Sequence, residues 1–349
     1  MKKRILALAL GILFAVNLTG CAKEIKGGSS DNDISSQNTS SEEQLTPTYF
    51  TNPLTGVEEL TANQVDLRPV AVMINNISVA QPVQAGLDAA DIVYETEVEG
   101  GITRLMAVFK DVRKADRLGS IRSARYPYVD LAMGHDAIYV HCGQDPTYCA
   151  PHLKDTDDYS IDTNNGGKRI ANGLSSEHTL YTFGNDLFNA LTKKFKRTTV
   201  SSNTMWQDFA AADESVSFAE NVANQVSVQF SQAYNTTFKY NASTGKYTRY
   251  SGAAARNDYI SGKPMEFKNI FVLLTRITTY PDGKHRKVAL ESGSGYYITN
   301  GTYTPINWSK GDASGSFKFT DASGKPIRVN AGNSYVMLPD SSTSRPSFS

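Results

Sequence analysis

A two-residue turn, Asn300-Gly301, constrains the fold of this chain more than any other feature of the sequence. It separates two runs rich in aromatic and β-branched residues, Tyr296–Thr299 and Thr302-Tyr303, and a type I′ hairpin turn needs the positive φ angles that Asn and Gly tolerate. Similar turn chemistry recurs at Ser243–Gly245, Pro281–Gly283 and Ala322–Gly324. Strands therefore dominate after about residue 226, and we predict a β-rich domain over 226–340 with a tail over 341–349.

The segment from about residue 68 to 195 has a different pattern, in which short apolar runs alternate with helix-like runs. Strands are predicted at Val70–Ile74, Ile92–Val98, Arg104–Phe109 and Ile138–His141. Helices are predicted at Tyr126–Met133, with Pro127 in the first turn, and at Asn185–Phe195. The predicted fold class is α+β: a mixed α/β N-terminal domain over 49–200, a connection over 201–225 that is partly helical around Phe218–Asn224, and the β-rich C-terminal domain.

The N-terminus is predicted to carry a secretion signal over residues 1–21. The basic residues Lys2–Arg4 precede an apolar stretch that ends at Val16, and Leu18–Cys21 resembles the lipobox of bacterial lipoproteins. Cys21 is the predicted lipidation site, so we expect a protein anchored to the cell membrane by lipid, on its extracytoplasmic face. An ordinary secretory peptide with an incidental cysteine is the alternative. Residues 22–48 lack apolar residues to bury and are predicted to form a disordered tether.

Charge and motif content narrow the classes of ligand. The 35 Lys and Arg residues balance 35 Asp and Glu, and nucleic acid is not expected as a partner because binding to a phosphate backbone usually needs a cationic excess. The sequence contains no Walker loop, dinucleotide fingerprint, nucleophile elbow or His-Glu-x-x-His motif. We therefore predict neither a cofactor nor a metal.

Several linked blocks resemble the YerB-like family of bacterial lipoproteins. These blocks are Arg68–Asn76, Ala90–Glu95, Val98–Arg104, Arg122–Arg125, Asp136–His141, His178–Thr182 and Gly293–Lys310. The resemblance covers most of the chain from about residue 50 to 340. It implies a two-domain extracytoplasmic lipoprotein with a mixed α/β first part, and it implies no established activity, since the family is functionally uncharacterised.

The row of carboxylates formed by Glu95, Glu97 and Glu99 is the starting point for a candidate site. Alternation along a strand would place all three on one face, with neighbours roughly 6.5 to 7 Å apart. Like charges at that spacing must be solvated or matched by cations. Arg122 and Arg125, just before the predicted helix, can converge on one anion together with the helix terminus. An acidic ligand cleft and an internal ion network are both compatible with this pattern.

The complete candidate cleft adds a third arginine and two histidines. Its members are Glu95, Glu97, Glu99, Arg104, Arg122, Arg125, His141 and His178. The histidines would either supply a general base near neutral pH or pack as hydrogen-bonded residues. For Cys142 and Cys149 three states stay open: a disulfide, two free buried thiols or, least expected, a metal site with His141 and His152.

These features predict a binding or scaffold module of the cell envelope. Its contact would be peptidoglycan, another anionic envelope polymer or an envelope-synthesis protein. The alternative is an envelope glycan hydrolase that uses a glutamate of the row, in which two carboxylates flank a water as in inverting glycosidases. A raised pKa in one glutamate beside an ionised one would favour hydrolysis.

Overall fold

A ten-stranded mixed sheet organises the part of the chain that the computed structural model describes, residues 48–349. The predicted signal, the predicted lipidation site Cys21 and the predicted tether up to residue 47 lie outside these residues. The described residues contain 23 strands: β1 Phe50–Thr51, β2 Glu58–Leu60, β3 Val70–Asn75, β4 Ile92–Glu97, β5 Thr103–Phe109, β6 Leu118–Gly119, β7 Ile138–His141, β8 Asp158–Ser160, β9 Lys168–Arg169, β10 Leu180–Thr182, β11 Gln225–Gln229, β12 Asn235–Asn241, β13 Lys246–Ser251, β14 Ala254–Ala255, β15 Glu266–Phe267, β16 Asn269–Leu273, β17 Ile277–Thr279, β18 Arg286–Val288, β19 Ser292–Thr299, β20 Thr302–Ser309, β21 Lys318–Thr320, β22 Ser334–Leu338 and β23 Ser347–Phe348.

Two α-helices, α1 Tyr126–Met133 and α2 Gly184–Lys194, accompany the strands of residues 48–349. Short 3₁₀ helices occur at Ser78–Val83, Glu99–Gly101, Val112–Lys114, His152–Asp155 and Ser176–His178. Neither α-helix has the length and apolarity needed to cross a bilayer. The described residues are therefore mostly sheet, and "β-rich" fits them better than the predicted α+β class.

The large sheet joins the two segments that the sequence pattern separates. Its strand order is β21-β20-β19-β16-β22-β4-β5-β3-β7-β8, so one half comes from the C-terminal segment and the other from the N-terminal segment. The halves meet where β22 runs parallel to β4, with Ser334 opposite Ile92 and Leu338 opposite Thr96. Both strands are buried along their whole length, as expected for central strands covered on both faces. Strands of both segments thus belong to one main sheet.

A different hydrophobic layer covers each face of this sheet. On one face, α2 and the smaller sheet of β11–β15 and β23 pack against residues such as Val93 and Tyr335. On the other face, α1 and the aromatic residues Trp206 and Phe317 pack against residues such as Tyr94 and Phe271. The polar groups of β4 are consequently enclosed wherever a second layer lies over them.

Local signals predicted several elements closely. Helix α1 has the predicted bounds, and α2 begins one residue earlier than expected. Asn300 and Gly301 have φ angles of 49° and 74°, which confirms the hairpin turn between β19 and β20. Two other segments differ from expectation. No helix forms at Phe218–Asn224, and the predicted tail contributes β23, which pairs with β11.

Candidate functional site

The three glutamates of the predicted row lie in three different environments. Strand β4 ends at Glu97, and Gly100 and Gly101 have φ angles of 70° and 69° immediately after it. Glycine adopts this left-handed conformation without the steric cost of a Cβ, so the chain turns into a short 3₁₀ helix. Glu99 belongs to that helix, and the strand spacing predicted for all three residues holds only for Glu95 and Glu97.

Glu95 is completely buried between the two sheets, where four neutral side chains donate hydrogen bonds to it. The donors are Asn76 Nδ2 at 2.9 Å, Thr103 Oγ1 at 2.7 Å, Thr236 Oγ1 at 2.9 Å and the Tyr335 hydroxyl at 2.6 Å. We call these five residues the Glu95 network. No cation of residues 48–349 lies within ion-pair distance of Glu95, and the network has no opening for a ligand, so its geometry is that of a structural group.

Arg249 is a buried cation that is hydrogen-bonded to a member of this network. The sequence did not identify it as a site residue. Its Nη2 donates to Asn76 Oδ1 at 3.1 Å and its Nη1 to Gln84 Oε1 at 3.3 Å, so Asn76 connects the buried guanidinium to Glu95. Arg249 occupies an inward-facing position of β13, two residues after the buried Tyr247. Strand alternation was the signal available for it.

At the other end of the row, arginines bind both remaining glutamates. Glu97 accepts a hydrogen bond from Arg286 Nε at 2.8 Å. Glu99 accepts one from Arg104 Nη2 at 2.7 Å and one from Arg125 Nε at 2.7 Å. The structure thus brings together four of the predicted residues, while Arg286, 189 positions from Glu97 in the sequence, had no local signal.

Arg286 belongs to the β17–β18 hairpin, which covers this end of the row. Among the described strands, β17 and β18 pair only with each other. At the tip, the ring of Tyr280 stacks on that of Tyr148, with centroids 3.9 Å apart and planes inclined by 15°. His285 Nδ1 lies 2.5 Å from Asp282 Oδ2, and its Nε2 lies 3.7 Å from Asp145 Oδ1. We define the hairpin site as Glu97, Glu99, Arg125, Tyr148, Tyr280, His285 and Arg286.

The hairpin site is nearly closed, and the pKa values of its two glutamates are shifted in opposite directions. The space left between its side chains is about 10 Å³, close to what one water molecule needs. Burial raises the pKa of Glu97, and the Arg286 charge offsets this only in part. Burial also acts to raise the pKa of Glu99, but the hydrogen bond from Arg125 and the charges of Arg104 and Arg125 outweigh it and lower the pKa to about 2. One glutamate therefore retains a proton more readily than its neighbour.

Three predicted site residues lie in hydrogen-bonded groups of their own. Arg122 Nη2 pairs at 3.2 Å with Glu177, whose side chain is mostly exposed. His178 Nδ1 lies 2.8 Å from Asn75 Nδ2. His141 Nε2 lies 3.1 Å from Asp158 Oδ2. These bonds link the three residues to neighbours other than Glu95, Glu97 or Glu99.

Cys142 and Cys149 are both free thiols, so the structure does not contain the disulfide considered from the sequence. The physical reason is their position on opposite faces of the large sheet: Cys149 is buried in the layer of α1, and Cys142 packs against the layer of α2. Burial raises the pKa of the Cys149 thiol to about 12. Within residues 48–349, no group of three or more His, Cys, Asp or Glu side chains is placed to hold a metal ion.

Two family models match the chain. Residues 54–202 match "Protein of unknown function (DUF3048) N-terminal domain", and residues 226–336 match the C-terminal domain of the same family. The "Putative lipoprotein YerB" of Bacillus subtilis (strain 168) is 31% identical over 268 residues, which are 73% of this chain and 77% of the relative.

A solved structure extends this similarity to the fold. The crystal structure of the YerB protein from Bacillus subtilis matches with a TM-score of 0.73 and 26% identity, covering 85% of this chain and 99% of that chain. Sequence and fold therefore agree along most of the described chain, and the protein belongs to the YerB-like DUF3048 family of lipoproteins, whose function is uncharacterised.

Proposed function

We propose that this protein is a lipid-anchored, extracytoplasmic binding module of the bacterial cell envelope, which holds an anionic envelope polymer at the hairpin site. The lipoprotein name of the relative supports the anchoring, and the lipobox that ends at Cys21 would supply the point of attachment. Peptidoglycan is the polymer that we consider first, because its peptide stems carry free carboxylates beside its sugars and its strands lie within reach of a tethered protein.

The unused hydrogen-bonding capacity of Arg286 carries this proposal. Its Nε donates to Glu97 and one Nη1 N–H donates to Thr279 Oγ1. A guanidinium has five N–H groups, so three remain for a carboxylate of a ligand while both contacts stay in place. The Arg286 side chain is 27% exposed, so a ligand can reach it from solvent. Arginine is well suited to this task, because its planar fork binds a carboxylate through two parallel hydrogen bonds.

The stacked tyrosines support recognition of a sugar beside that charge. Tyr148 and Tyr280 are both half-buried and line the site together with Arg286, and because they stack on each other each ring has one face that the other ring does not cover. An amphipathic ring can pack on such a surface while its polar groups stay hydrated. An isolated two-stranded hairpin is only marginally stable. Side-chain contacts hold the tip of the β17–β18 hairpin in place. We therefore expect the tip to move when a ligand enters.

Co-sedimentation with purified peptidoglycan tests the proposal, with the full chain kept in detergent. We expect Arg286→Ala to weaken binding at least about fivefold, because it removes the free donors. The variant also leaves the buried Glu97 without its partner, so binding is compared at a temperature at which both chains are folded. Arg345→Ala, which removes an exposed arginine outside the site, is the matched control and should bind normally. Absence of binding by the unaltered chain, or equal binding by both variants, would refute the proposal.

The opposite pKa shifts of Glu97 and Glu99 favour glycan hydrolysis as a second candidate function. Glu97, with its raised pKa, would be the general acid, and Glu99, with a pKa of about 2, would be the ionised partner. A search for soluble fragments released from peptidoglycan tests this. Hydrolysis predicts release by the unaltered chain and none by Glu97→Gln, with binding retained; no release by either chain excludes it.

A further inference from the structure

His285 connects the tip of the β17–β18 hairpin to the turn that faces it. On the hairpin, its Nδ1 lies 2.5 Å from Asp282 Oδ2. Across the site, its Nε2 lies 3.7 Å from Asp145 Oδ1. The imidazole therefore lies between two carboxylates from segments far apart in the sequence, and it lines the nearly closed space of the hairpin site.

Backbone N–H groups hold both carboxylates in position. Asp282 accepts those of Lys284 at 2.9 Å and His285 at 3.1 Å, and Asp145 accepts that of Tyr148 at 2.6 Å. The hydrogen bonds from the His285 ring and from the Lys284 N–H lower the pKa of Asp282 to about 2. Asp282 is therefore charged throughout the pH range in which histidine side chains gain and lose a proton.

The two distances fit the doubly protonated ring of His285. An unprotonated nitrogen does not approach a carboxylate oxygen to 2.5 Å, so Nδ1 carries a proton. A neutral imidazole has only one N–H, and its unprotonated Nε2 would turn a lone pair toward Asp145 Oδ1. The imidazolium has an N–H on both nitrogens, and its positive charge attracts both carboxylates.

Two further contacts hold the tip of the hairpin. The ring of Tyr280 stacks on that of Tyr148, and Arg286 donates to Glu97. Among the described strands, β17 and β18 pair only with each other, so these side-chain contacts contribute much of the attachment of the tip. The stack of the two neutral rings does not depend on a proton, whereas the contact through His285 becomes stronger when the ring is protonated.

Other charged or titratable groups surround His285. They are Lys284, Arg286 and Tyr280 on the hairpin, Tyr148 on the facing turn, Glu97 and Glu99 at the end of β4, and Arg125, Tyr126 and Asp130 in or next to α1. Burial raises the pKa of Tyr126 and of Tyr280, and the pKa of Glu99 is about 2. These three groups therefore keep their charge state near neutral pH.

Glu97 and Asp130 act in the opposite sense to His285. Burial raises the pKa of both carboxyls. Protonation of Glu97 in acid removes the negative charge that attracts Arg286, and protonation of Asp130 likewise removes a negative charge near the hairpin. Both changes loosen the tip as the pH falls, so a tip that becomes tighter in acid identifies His285.

From this geometry we infer that His285 is a pH-sensitive latch of the hairpin site. The imidazolium holds the tip closed over the site, and loss of its proton releases the tip. The closed site leaves a space of about 10 Å³, so a ligand enters only when the tip moves. The latch therefore opposes ligand entry in acid and permits it above neutral pH; this consequence rests on the function proposed for the site, whereas the latch itself does not.

Hydrogen exchange of the ligand-free full chain in detergent tests the latch at about pH 5.5 and about pH 8. Exchange is compared as the protection factor, because the intrinsic exchange rate also depends on pH. In the unaltered chain, residues 280–285 and 145–149 should be at least about threefold better protected at the lower pH, a modest effect because the ion pairs are partly exposed.

Three variants locate the titrating group. His285→Gln can still donate to Asp282 but cannot gain a charge, so the difference in protection should disappear. Asp282→Asn keeps an acceptor for the N–H groups of the turn and removes one carboxylate charge, so the difference should become smaller. His152→Gln, at an exposed histidine outside the hairpin site, is the matched control and should keep the full difference.

Three results would overturn the inference: equal or weaker protection at the lower pH in the unaltered chain, a difference that persists in His285→Gln, or a difference that disappears in His152→Gln. Because no ligand is present, these outcomes do not depend on whether the protein binds peptidoglycan. Failure of co-sedimentation beside a normal response of the latch would refute the proposed binding function alone.

Discussion

Glu95 and Glu99 begin as members of one sequence pattern and end in opposite environments. Glu95 lies under the smaller sheet, where neutral hydroxyl and amide groups bind it away from solvent. Glu99 lies beyond the end of β4, where Arg104 and Arg125 bind it near the surface. The difference teaches that the layer over a strand, rather than the residue type, decides whether a carboxylate is structural or available for a ligand.

The largest effect is expected at the buried end of the row. Glu95→Ala should lower the free energy of unfolding by about 3 to 5 kcal/mol, because it leaves the Tyr335 and Thr236 hydroxyls buried without their acceptor. Urea unfolding measures this loss. Glu58→Ala, at an exposed position of β2, is the control and should change stability by less than about 0.5 kcal/mol. A similarly small change in stability in both variants would contradict the distinction between the buried end of the glutamate row and the end that arginines bind.

A smaller loss is expected where arginines bind the row. Arg104→Met should cost about 2 to 3 kcal/mol, since the buried guanidinium bonds both Glu99 and the Ser123 carbonyl, while Glu99 keeps partial access to water. Arg104→Lys keeps the charge and loses the second bond, so its free energy of unfolding should lie between those of Arg104→Met and the unaltered chain. Equal stability of Arg104→Met and the unaltered chain in urea would contradict the role of this pair.

The pH dependence of stability should distinguish Glu99 from Glu97. The pKa of Glu99 is about 2 in the fold, below its ordinary value of 4.5, so its stabilisation is complete above that ordinary value and is lost as the pH falls toward 2. Glu97 has a raised pKa and acts in the opposite sense, because protonation relieves its buried charge.

Removing the Glu99 charge should therefore flatten the acid side of the stability curve. Between about pH 6 and pH 3, Glu99→Gln should lose about 1 to 2 kcal/mol less than the unaltered chain. Urea unfolding at each pH gives the comparison. A steeper acid loss in the variant would reverse the assigned direction.

The smallest effect is expected at Arg122, which the sequence pattern places with the glutamate row. Its partner in the structure is Glu177, whose side chain is 58% exposed, so Arg122→Ala should cost less than about 1 kcal/mol. Thermal unfolding in low and high salt provides the check, because salt screens the attraction between the two charges and should reduce the small contribution of this ion pair to stability. A loss as large as that of Glu95→Ala would require a buried partner that the fold does not provide.

Local sequence signals predicted the elements of the fold, but long-range packing decided the site. The helix at Tyr126–Met133 and the Asn300-Gly301 turn depend on neighbouring residues, and both were predictable. Thr236, Tyr335 and Arg286 lie 141, 240 and 189 positions from the glutamates they bind, so no spacing rule could find them. The segment near Phe218 is not helical because the Ala223 N–H donates to the Gly301 carbonyl and Val222 forms a β-bridge with Thr302, contacts that a local pattern does not contain.

Hydrogen exchange of the full chain with soluble peptidoglycan fragments tests the central claim most directly, because it locates the ligand. We predict changed amide protection in the hairpin tip, residues 280–285, and in the facing turn, residues 145–149, with no change in residues 92–95 around Glu95. Changes confined to other parts of the chain, or no change under conditions where the fragments bind, would contradict the assignment of the hairpin site as the binding site.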